Sequence, residues 1–225
     1  MHYIQLSPLS IMVGFAAVLV TAFIRFHYAF RYQYLCLLFK RKPSIIKKLL
    51  ERSYQKNRSV VRLLDKSTKE ILEGEYDQAE KFIIEGIQLA RERKGLQSQL
   101  IRTIFYRNLS WILYYKGHYK ESLQIAISLY EKTSATPGIL ALISCNFARL
   151  GDIQRAVEAL AQLTQMGKAH SSILLPCKAE IEAAKGNWDQ AVNLLAQAQK
   201  MNTKISVQFI MSELEKRITQ LKKAV

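Results

Sequence analysis

Gly151-Asp152-Ile153-Gln154-Arg155-Ala156 decides the fold, because the same pattern occurs four times in 225 residues. The other copies are Gly74-Glu75-Tyr76-Asp77-Gln78-Ala79, Gly117-His118-Tyr119-Lys120-Glu121-Ser122 and Gly186-Asn187-Trp188-Asp189-Gln190-Ala191. Their glycines lie 43, 34 and 35 residues apart. A period near 34 marks stacked helical hairpins. The glycine supplies the turn between two helices, where a left-handed backbone is cheap only without a Cβ. Two residues on, a large apolar side chain (Tyr76, Tyr119, Ile153 or Trp188) anchors the second helix. Three residues further, a small one (Ala79, Ser122, Ala156 or Ala191) lets two helices approach closely.

Helical spacing continues on both sides of each turn. Ala156, Leu160 and Leu163 follow one glycine; Ala191, Leu195 and Ala198 follow the next. Before the turns, Leu140, Ile143 and Phe147 share a face, as do Tyr106, Leu109 and Leu113. Over residues 60–200 these units resemble tetratricopeptide (TPR) repeats. The resemblance implies a right-handed solenoid of helical hairpins. The unit ending at Gly74 has a polar, Lys-rich first helix, as terminal repeats do. The longer first spacing predicts longer helices, broken near Gly95. Pro176 is placed near the start of the fourth unit's first helix, where proline is tolerated. Val207, Ile210, Leu214, Ile218 and Leu221 form an apolar stripe suited to a C-terminal capping helix.

The N-terminus carries a separate signal. Residues 1–24 contain no Asp, Glu, Lys or Arg. Leu6 to Ile24 is about long enough to cross a bilayer core of roughly 30 Å. No basic region precedes it and no small-x-small cleavage pattern follows, so an uncleaved anchor is expected rather than a signal peptide. Residues 25–70 then hold thirteen Lys and Arg against three Asp and Glu, most of the chain's net +15. The positive-inside rule puts that side in the cytoplasm. The layout expected is a transmembrane anchor over 1–25, a basic and aromatic juxtamembrane segment over 26–59, about four hairpins over 60–203 and the capping helix over 204–225. The full expectation is an all-α, single-pass protein with its N-terminus outside and its repeats cytoplasmic, at a bacterial inner membrane. Arg25, Arg31, Lys40, Arg41, Lys42, Lys47 and Lys48 would face anionic headgroups. Nucleic-acid binding is not expected, since no nucleic-acid motif accompanies the charge.

No catalytic pattern emerges. Cys36, Cys145 and Cys177 form no Cys-x-x-Cys, and the four histidines have no ligand spacing, so no metal or other cofactor is expected. Cys145 and Cys177 read as small core residues. Glu180 and Glu182 point to different helix faces and read as solvated. There is no phosphate-cradling glycine loop and no nucleophile elbow. The chain is not expected to be an enzyme or to take a small-molecule substrate.

The TPR resemblance implies a groove lined by the first helix of each hairpin, holding a partner peptide or helix. It places Arg107, Asn108, Trp111, Tyr114 and Tyr115 of the second unit and Cys145 and Arg149 of the third on that wall. Trp, Tyr and Arg are the residue types that carry binding hot spots. Asn108 matches one position of the clamp that captures chaperone tails, but Gly138 and Leu142 stand where that clamp needs cations. The function expected is a membrane-tethered adaptor or scaffold for another protein, in assembly or biogenesis of a membrane or envelope complex. The alternative is a structural subunit whose anchor packs against other transmembrane helices.

Overall fold

The computed structural model describes residues 8, 10–23, 42–56, 60–92, 94–133, 136–166, 171–200, 215–216 and 219–220. Among them there are ten helices and no strand. They are α1 (residues 10–23), α2 (Pro43–Lys56), α3 (Val60–Glu73), α4 (Tyr76–Arg91), α5 (Leu96–Tyr115), α6 (Tyr119–Thr133), α7 (Pro137–Arg149), α8 (Ile153–Gln165), α9 (Ser171–Ala184) and α10 (Trp188–Lys200).

Consecutive helices from α2 to α10 pack on one another in chain order, and α3, α5, α7 and α9 also touch in sequence. Neighbours joined by two or three residues must run antiparallel. The result is helical-repeat packing compatible with an α-solenoid. One hydrogen-bond pattern closes all four hairpins. The glycine N–H donates three residues back, to Ile71, Tyr114, Ala148 or Ala183, and the next N–H donates five back, to Glu70, Leu113, Phe147 or Glu182. This is a Schellman closure, and it needs a left-handed residue; the four glycines have φ between 82° and 86°.

The second helix of each hairpin then crosses the first through a small residue. Ala79, Ser122, Ala156 and Ala191 are all fully buried. Ser110 Oγ donates to the Ser122 carbonyl at 2.8 Å, and Ser122 Oγ returns to the Ser110 carbonyl at 2.7 Å. Ser144 Oγ donates to the Ala156 carbonyl at 2.8 Å in the next unit. Side chains this short let the backbones meet while each hydroxyl stays hydrogen-bonded. Asp152 caps α8 by accepting from the Arg155 N–H at 3.1 Å. Pro137 opens α7, where its missing N–H is not needed.

Three expectations need correction. The N-terminal transmembrane helix is not supported: no helix among the described residues is long and apolar enough to cross a membrane. Pro176 lies inside α9 rather than at its start, because that helix begins at Ser171. Glu180 is not solvated: it is fully buried against charged and phenolic partners. The break near Gly95 falls between α4 and α5, with φ 127° at Gly95. Of the capping segment, only 215–216 and 219–220 are described, as helix, and the remainder lies outside the described residues. Arg25, Arg31, Lys40 and Arg41 lie outside them too.

Candidate functional site

The seven residues expected on the groove wall divide by depth. Tyr114 and Cys145 are fully buried, and the Arg149 side chain is 10% exposed. Asn108, Trp111 and Tyr115 are half-buried, while Arg107 is exposed. The third unit's wall is closed: Ala141, Leu142, Cys145 and Ala148 are all buried, in one cluster with Tyr114 of α5 and Cys177 and Ile181 of α9.

The buried members converge on a residue that the sequence reading placed in solvent. Glu180 Oε1 accepts from Tyr114 Oη at 2.6 Å and pairs with Arg149 Nε. This joins α5, α7 and α9, the first helices of three consecutive hairpins. Burial alone pushes the Arg149 guanidinium toward losing its proton, but the Glu180 carboxylate, with the Tyr114 and Tyr119 oxygens, raises its pKa above the usual arginine value. Cys145 S–H donates to Cys177 Sγ at 3.8 Å, and Cys177 S–H points to the Ala141 carbonyl at 3.8 Å. Contact with Cys177, burial and the Glu180 charge push the Cys145 thiol up, so it stays protonated and inert. The arrangement brings charge together to hold helices.

Above this floor lies an aromatic ladder. Tyr76 stacks on Tyr115 with ring centres 5.3 Å apart, and Tyr115 stacks on Trp111 at 5.8 Å. Tyr114 meets Trp111, Tyr115 and Tyr119 edge-on at 5.7–5.8 Å. Offset stacks and edge contacts are the favoured aromatic geometries. Trp111 and Tyr115 also pack against the Ala179, Ala183 and Ala191 cluster at the far hairpin. The 20-residue α5 therefore spans from Tyr76 of the first hairpin to the fourth.

Arg107 stands one helical turn before Trp111 and shares its face. Surrounding protein partly desolvates it and lowers its pKa, yet its side chain remains open to solvent. It makes no ion pair among the described residues, and α5 contains no Asp or Glu to provide one within the helix. The exposed part of the wall is thus a cation, an amide and two ring faces. Lys42 and Lys48 are exposed, whereas Lys47 pairs with Glu73 at 3.8 Å. Among the described residues no group of three His, Cys, Asp or Glu is placed to hold a metal ion.

The sequence reading missed Glu180, because charge balance across three helices is invisible in any one of them. A usable signal existed: Glu180 lies six residues before its turn glycine, the wall position occupied by Trp111 and Cys145 in the units before. No family model matches the chain, and no curated protein matches it.

Proposed function

We propose that this chain is a TPR-type scaffold that binds a partner protein along α5, through Arg107, Asn108, Trp111 and Tyr115. The observation that carries the reading is the half-exposed aromatic ladder beside an exposed arginine that makes no ion pair among the described residues. Partly dehydrated rings with a guanidinium nearby gain most from a partner that completes their burial. The four equivalent turns and small-residue crossings support the repeat assignment. Tyr114, Cys145 and Arg149 then serve the wall from beneath rather than touching the partner. The role is holding a protein, not transforming a small molecule.

The test is affinity purification of the full chain, unaltered and as Arg107→Glu, with quantitative mass spectrometry. A protein retained at fixed stoichiometry by the unaltered chain and lost from the variant, at unchanged helical content, is the expected result. Identical retention by both overturns the reading.

A further inference from the structure

The helix before the first hairpin, α2, has two unlike faces. Ile46, Leu50 and Ser53 are buried. On the opposite side Lys48, Arg52 and Lys56, at four-residue spacing, are all exposed. None of the three makes an ion pair among the described residues. The acid on this helix, Glu51, is engaged by Lys69 of α3 at 3.2 Å. Like charges four residues apart on a helix repel. The stripe is therefore a standing electrostatic cost, which an anionic surface would remove.

A second observation selects among anionic surfaces. Every described side chain of α1 is exposed, and its large apolar ones, among them Met12, Val13, Phe15, Val18, Leu19 and Val20, lie on all sides of the helix. Contiguous apolar surface of this kind marks an interaction site. A nucleic acid offers phosphates but no apolar sink. A lipid surface offers both, phosphates at the headgroups and an apolar sink beneath them.

We propose that the outer stripe of α2, Lys48, Arg52 and Lys56, docks the chain on an anionic lipid surface, with the exposed apolar side chains of α1 taken up by the same surface. The attachment is peripheral, independent of the partner-binding reading, and uses headgroup phosphates as the ligand.

Flotation of the full chain with phosphatidylcholine vesicles, with and without about 30% phosphatidylserine, tests it. The expected result is partition to the anionic vesicles, falling steeply with salt. Lys48→Glu/Arg52→Glu/Lys56→Glu should weaken it on the order of 100-fold, each basic residue near the surface being worth roughly fivefold. All three positions are exposed, so helical content should not change. Phe15→Ser/Leu19→Ser, with α2 intact, should weaken partition while leaving its salt dependence. Equal binding to neutral vesicles, or an unchanged partition in the triple variant, overturns the proposal. So does a DNA duplex bound in place of vesicles, which would reassign the stripe to nucleic acid.

Discussion

Tyr114 Oη donates to Glu180 Oε1 at 2.6 Å across 66 residues of sequence, and both side chains are fully buried. With Arg149 on the same oxygen, this bond ties the second, third and fourth hairpins together at their inner edge. Glu180 Oε2 and Arg149 Nη2 are enclosed without a hydrogen bond among the described residues. The pair therefore specifies a geometry more than it stabilises the chain.

Removing one partner strands the other. Glu180→Leu leaves a buried, unpaired guanidinium and should destabilise by about 3–5 kcal/mol. Arg149→Met/Glu180→Leu should recover most of that loss, because apolar groups of similar size need no desolvation. Tyr114→Phe should cost about 1–3 kcal/mol, as expected for a hydrogen bond to a charged group. Urea unfolding of the four proteins checks this; a double variant as unstable as Glu180→Leu alone would contradict it.

Gly86 lies inside α4 with the Phe105 ring against its backbone. An added Cβ would stand 2.6 Å from Cε2 and 2.8 Å from Cε1 of that ring, and nearer still to Cζ. Alanine normally favours a helix over glycine by about 1 kcal/mol. Here Gly86→Ala should instead destabilise by about 1–3 kcal/mol through overpacking. In a Phe105→Leu background the same change should cost much less, which a double-mutant cycle measures.

The small crossing residues should tolerate neither growth nor loss of their hydroxyls. Ala156→Leu is expected to cost about 1–3 kcal/mol or more, since the facing backbone cannot withdraw. Ser122 Oγ also accepts from Asn146 Nδ2 at 2.8 Å. Ser122→Ala should therefore cost about 1–3 kcal/mol by leaving buried groups unpaired. Thermal melts of both variants test this, and a neutral Ala156→Leu would mean the helices are not in close contact there.

Much of this was legible in the sequence, and the reasons are local. A glycine five residues ahead of a small residue, repeated four times, encodes a turn and a crossing, each settled by a few neighbouring atoms. Cys145 and Cys177 were readable as core because their helices are apolar on that side. Glu180 was not, since Arg149 and Tyr114 that accommodate it lie 31 and 66 residues away. Gly86 was silent because a mid-helix glycine looks merely tolerated until the ring beside it is known. The apolar content of the N-terminus was plain, but no helix among the described residues is long and apolar enough to cross a membrane.

Lys116, at the end of α5, reaches back to Asp77 and Glu80 at 2.7 Å each. Its hydrogen bonds to them raise its pKa, and the Lys116 bond lowers that of Asp77. A lowered carboxylate contributes stability that is present above its unfolded value, about 3.9, and lost as pH falls through its lower folded value. A raised lysine contributes below its unfolded value, about 10.4, and loses that contribution as pH rises through its higher folded value. The Tm difference between the unaltered chain and Lys116→Met should therefore be small, level from about pH 5 to pH 9, and vanish beyond each end. High salt should shrink it, because Asp77 is fully exposed.

The central claim is that a partner protein lies along the exposed face of α5. A photo-crosslinking amino acid placed at position 107 in cells, and at 157 on the exposed side of α8 as control, tests it most directly. Val157 is 45% exposed, so both sites are open to solvent. The account predicts one dominant protein adduct from position 107 and none from 157. No adduct from 107, or the same adducts from both sites, would contradict it.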